Sequence, residues 1–177
     1  MEPSGGSGEN VRIKYVSFHE KSGYGIAGRR YLLGLAGTGL TVTWAPMVQG
    51  RRWGLGYEPF EDRRVGDPAL DPLCNRAEKY NTVIVHTVPE YFPLWHAREP
   101  GKRIIGCTVW ETDRLPAHWP ALLNSIDGIM VPCEWNAEVF RKCGVKTRID
   151  VVPHVADPTF DGVSHRSADK VAAFLRP

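Results

Sequence analysis

The chain has little of what would place it in a membrane, a secretory route or a disulfide scaffold. Its apolar stretches fall well short of the roughly 18 residues that a spanning helix needs. Residues 1–10 are polar and glycine-rich, without the apolar core of a signal peptide, and are expected to form a flexible leader. The only four cysteines are Cys74, Cys107, Cys133 and Cys143. No two of them make a C-x-x-C pair, so neither zinc nor a thioredoxin-like motif is signalled. Reduced thiols in a cytoplasmic protein are the expectation, with the periphery of a membrane as the other place of work. A large excess of charge of one sign is missing too. The net charge of +2 carries no nucleic-acid footprint. The spacing of His86, His118 and His154 matches no metal-ligand signature. No internal repeat is visible.

What is present is a succession of short apolar runs. VRIKYVSF (11–18), Leu40 to Ala45, NTVIVHTV (81–88), Arg103 to Trp110, GIMV (128–131) and Arg148 to Val152 read as strands. Segments of helical character lie between most of them: Ile26 to Leu35, a helix or turn around Glu90 to Ala97, His118 to Ser125, and Glu134 to Cys143. Pro46 is expected to close the second strand. Residues 47–79 lack periodicity and read as a loop excursion, long enough to be either functional or mobile. The alternation predicts an α/β fold, with a doubly wound, mostly parallel, Rossmann-like sheet over residues 11–160. Residues 161–177 read as a linker or the start of a crossover to another domain.

In open α/β sheets ligands bind outside the carboxyl ends of the strands, and the polar turns there are the candidate site. Gly23, Tyr24 and Gly25 open the segment GYGIAG, which literally spells G-x-G-x-x-G. Four residues separate it from the first strand, and the second strand ends without the acidic residue a dinucleotide ribose requires. What remains is a glycine loop before a helix, whose N–H groups suit an anion. Glu111 and Asp113 follow the strand RIIGCTVW, where carboxylates can bind hydroxyls or take a proton; the alternative is that Thr112 or Asp113 caps a following helical turn. His86 ends TVIVH and His154 follows VVP. Either histidine fits a structural hydrogen bond as readily as a ligand contact. Pro132, Glu134, Trp135 and Asn136 read as structural, with Trp135 as a packing anchor. Arg51, Arg52, Arg63 and Arg64 read as a solvated loop, with phosphate or acidic-lipid contact as the minority reading.

VWETDRLP, the VPCEW-N turn with its helix AEVFRKCGV, VVPHVAD and the loop SGYGIAGRRYLLGL together resemble the N-terminal half of retaining glycosyltransferases of family 4, which have the GT-B fold. The likeness runs from Val11 to Asp157. It departs at Cys133, where the family usually has serine, and at Val155, where it usually has glycine. The resemblance implies a domain on the acceptor side of a transfer between a nucleotide-diphosphate sugar and a sugar, lipid or other hydroxyl acceptor. Gly23, Tyr24, Gly25, His86 and His154 would then face donor or acceptor, and Glu111 and Asp113 would be the catalytic candidates. It implies no cofactor and no metal. The donor would be held by a C-terminal domain, in cis or in trans, whose E-x7-E pair does not occur in these 177 residues. A non-catalytic Rossmann-like binding module is the rival from another class, and a nucleotide-dependent oxidoreductase domain is the weaker alternative.

Overall fold

The computed structural model describes residues 11–50 and 56–155, together with Ala173. The expected leader, the linker over 161–177 apart from Ala173, and Arg51 and Arg52 lie outside the described residues. Seven strands form one sheet in the order β3-β2-β1-β4-β5-β6-β7. The chain runs β1 (Arg12–Phe18), α1 (Gly23–Gly37), β2 (Thr41–Gln49), β3 (Tyr57–Pro59), β4 (Thr82–His86), α2 (Phe92–Arg98), β5 (Arg103–Cys107), α3 (Trp119–Leu123), β6 (Gly128–Val131), α4 (Glu134–Lys142) and β7 (Ile149–Val151). Every pairing is parallel except β2 with β3. The fold is α/β and Rossmann-like, as the alternation of strand and helix predicts.

The alternation of side chains along each strand builds two cores. Val16, Phe18, Val83, Val85 and Ile104 meet Phe92 and Trp95 of α2, Leu123 of α3 and Phe140 of α4 on one face. Ile13, Tyr15, Trp44, Ile84 and Ile105 meet Tyr31, Leu32 and Leu35 of α1 on the other. Burying a side chain such as Leu32 or Phe140 contributes roughly 2 kcal/mol. One crossover runs from β1 to β2, and the next series departs from β4 in the opposite direction. The β1–β4 boundary is therefore the topological switch point, beside which such sheets hold their ligands.

Three expectations need correction. Pro46 does not end β2, because its carbonyl turns to the β3 side, where it accepts from the Phe60 N–H at 2.9 Å. Its missing N–H falls on that same side, just past the end of β3, so no ladder bond is lost. Within 47–79, the excursion contains β3, a single turn of 3-10 helix at Asp71–Leu73 and two buried anchors, Leu70 and Cys74. Asn75 fastens it by donating from its backbone to the Trp44 carbonyl and from its amide to the Phe60 and Asp62 carbonyls. Finally, β5 stops at Cys107 rather than Trp110. The backbone of Val109 bonds the Tyr24 hydroxyl and the Trp110 carbonyl accepts from Asn136 Nδ2, so these groups leave the ladder.

Candidate functional site

The first turn of α1 is made possible by two glycines. Ser22 caps the helix, accepting from Gly25 N–H through its side chain and from Ile26 N–H through its carbonyl. A Cβ on Gly25 would overlap the carbonyl oxygen of Glu20. One on Gly28 would lie 2.9 Å from the Ser17 Cβ and 3.6 Å from His86 Nδ1. The glycine segment is thus not a loop ahead of the helix, as the sequence suggests. It is the helix itself, pressed onto β1 and β4. Of the N–H groups expected to face an anion, that of Gly25 is taken by the cap. Those of Gly23 and Tyr24 have no partner among the described residues. The connection beneath is held by Glu20, whose carboxylate accepts from the Ser22 and Tyr57 hydroxyls. That bond pushes the Tyr57 hydroxyl up to about 12.

Tyr24 joins α1 to the end of β5. Its hydroxyl lies 2.8 Å from Thr108 Oγ1, donates to the Val109 carbonyl at 3.3 Å and accepts from the Val109 N–H at 3.3 Å. Burial raises its pKa; the bonds to Thr108 and Val109 oppose that rise, and the nearby Cys107 and Glu111 add to it. Glu111 is therefore within electrostatic reach of the first turn of α1. Tyr24→Phe is expected to cost about 1–2 kcal/mol through the lost bonds, measured as a lower denaturation midpoint with an unchanged fold.

Seven residues on, and so on the same helical face, Tyr31 donates to the carbonyls of Val152 and Pro153 at 2.7 and 2.8 Å. His154 packs against it with ring centroids 6.0 Å apart. Its pKa is lowered by burial and by Arg30. His86 lies beneath this layer and is only 2% exposed. Its Nδ1 is 2.7 Å from the Tyr15 hydroxyl, and the rings of Tyr15, Tyr24 and Tyr31 all meet it edge to face. Burial, with a smaller contribution from His154, lowers its pKa to about 3, so the imidazole is neutral at physiological pH. It supports the rim from below.

The structure thus gathers Gly23, Tyr24, Gly25, Glu111 and His154 along the carboxyl rim of the sheet, with His86 one layer under it. Asp113 is exposed on the same turn as Glu111 but reaches none of these groups. It caps no helix either, since α3 begins at Trp119 after His118. Trp110 shapes this turn, its Nε1 donating to Thr112 Oγ1 and to the Arg114 carbonyl. Trp135 is 45% exposed, so the residue anchoring α4 is instead the buried Asn136, tied to Trp110. Sequence reasoning missed Tyr15, Glu20, Tyr31 and Thr108. The seven-residue spacing of Tyr24 and Tyr31 was the one available signal. Among the described residues no three His, Cys, Asp or Glu side chains are grouped to hold a metal ion, and no helix is long and apolar enough to cross a membrane. No protein-family model matches the chain, and no curated protein matches it.

Proposed function

We propose that this chain is the acceptor-side, N-terminal domain of a retaining glycosyltransferase. It would act with a donor-binding domain, in cis or in trans, to move a sugar from a nucleotide-diphosphate sugar to an acceptor hydroxyl. The observation that carries the reading is the Tyr24 bridge. It sets the first turn of α1 beside the end of β5, bonding Val109 two residues before the exposed Glu111; His154 follows β7, whose carboxyl end opens on the same side of the parallel sheet. A hydroxyl bound there would meet a carboxylate able to accept its proton, next to a helix N-terminus suited to a diphosphate. Asp113, on the same solvent-facing turn, is a second hydroxyl-binding group. The reading calls for no metal ion.

Two features bear on the alternatives. Glu111 has no hydrogen bond among the described residues, which favours a non-catalytic binding module as the second reading. The oxidoreductase reading is weakened by β2, which ends in Val48-Gln49 without an acidic residue, and by glycines that serve helix packing.

Turnover across a panel of nucleotide-diphosphate sugars tests the proposal. Transfer is expected only when a donor domain is supplied, and Glu111→Gln in that active form is expected to lower kcat/KM on the order of 10²-fold with Tm unchanged. Robust transfer by the 177-residue chain alone would overturn the division of labour. Tight NAD(P) binding would move the chain to the oxidoreductases. A sharp fall in Tm with normal turnover in the folded fraction would make Glu111 structural.

A further inference from the structure

A cavity of about 570 Å³ lies between α1, the end of β1 and the turn at residues 67–70. It is distinct from the Tyr24–Thr108 side of α1 and opens beside it, sharing Gly25 with the first turn of the helix. Its apolar walls are Phe18, Ile26, Trp44 and Leu70. Of the polar side chains around them, Ser17, Glu20, Arg29 and Asp67 are engaged by neighbours, while His19 meets Trp44 edge to face and Lys21 is exposed. Trp44 Nε1 donates to Ser17 Oγ at 2.9 Å, and Arg29 Nε pairs with Asp67 Oδ2 at 3.1 Å, tying α1 to the 67–70 turn. Asp67 also accepts from the Ala69 N–H and caps the turn that carries Leu70 inward. A guest therefore finds mostly apolar surface, with His19 and Lys21 as the polar side chains of the lining that no described group hydrogen-bonds. Ile26 is 49% exposed, one of only two large apolar side chains so placed among the described residues. An isoleucine left half bare at the mouth of an apolar cavity is surface that a bound molecule would cover.

We infer that this cavity receives the apolar aglycone of the acceptor, a ring or short aliphatic tail, while the hydroxyl end reaches over Gly25 to the rim. The volume falls in the range of small-ligand sites, which are typically about 300–1,000 Å³. This inference rests on the acceptor-side reading above and narrows it. The acceptor is an amphiphile rather than a bare polyol.

Isothermal titration of the 177-residue chain with methyl, n-hexyl and 4-nitrophenyl glucosides tests it, with UMP and AMP as competing occupants. At least one tailed glucoside is expected to bind about tenfold or more tighter than the methyl glucoside. Ile26→Glu, at a half-exposed position, is expected to remove most of that advantage while leaving Tm unchanged. Equal binding of all three glucosides, an advantage that survives Ile26→Glu, or tightest binding by a nucleotide would each overturn the inference. Tail-dependent binding with no transfer in the turnover assay would leave the cavity's role standing and remove the transferase reading. Transfer without tail dependence would do the reverse.

Discussion

Acidification from pH 7 to pH 4 is expected to destabilise this fold by about 3 kcal/mol through His86 alone. In the unfolded chain the imidazole titrates near its ordinary value of 6.5, whereas burial in the fold lowers it to about 3. Between those values the unfolded state binds a proton that the folded state refuses. Stability is therefore full above about pH 6.5 and declines as pH falls, by up to about 1.4 kcal/mol per pH unit. His154, whose pKa is lowered by burial and by Arg30, acts in the same direction. Asp67 and Glu90 add to the loss at lower pH: burial pushes their carboxyls up, but hydrogen bonds, chiefly from Arg29 and from His118 and Trp119 respectively, together outweigh it and hold them below their usual values. The group responsible is isolated by comparison with His86→Asn, which is less stable at neutral pH but should show a shallower loss between pH 6.5 and 4. Parallel curves for the two proteins would mean that His86 is protonated in the fold, and the neutral support beneath the rim would have to be abandoned.

Opposite outcomes are expected at two glycines of the same hexapeptide. Gly25→Ala drives a methyl group into the Glu20 carbonyl and is expected to cost roughly 3 kcal/mol, because the obstacle is backbone and cannot swing aside. Gly23→Ala meets open space and is expected to be neutral or to stabilise by up to about 1 kcal/mol, since alanine favours helix over glycine. Urea denaturation of both variants reads the difference. A well-tolerated Gly25→Ala would show that α1 can stand off from β1 without loss.

The glycine pair also shows where a sequence stops being readable. The sheet is legible because β4 and β6 are continuous apolar, β-branched-rich runs; the expected strand at Gly128–Val131 coincides with β6. The start of α1 is not, because glycine carries a weak helix propensity and only the contact with Glu20 explains its presence. Pro46 reads as a strand end because the side to which its carbonyl turns depends on β3, eleven residues further on. The elements within 57–75 are held by long-range bonds, Tyr57 to Glu20 and Asn75 to Trp44, which leave no periodic trace. At the rim, Glu111 and His154 were visible as polar groups after apolar runs. Tyr15 and Tyr31 were hidden among core residues, since their hydroxyls find partners only once β4 and β7 are in place.

The outermost strands have a consequence for how the molecule behaves in company. β3 and β7 are each three residues long, and β3 ends in Pro59, which has no N–H to offer. A passing extended peptide would find room for very few main-chain bonds at either flank of the described sheet, too few to nucleate edge-to-edge growth. β1 and β4 lie inside the sheet, and the outer edge of β2 is covered by β3 over Met47–Gln49 and, further back, by backbone bonds from Phe60 and Asn75. Association of folded molecules through their sheets should therefore be slow even in concentrated solution, and aggregation should wait on events that first strip away a margin and bare β2.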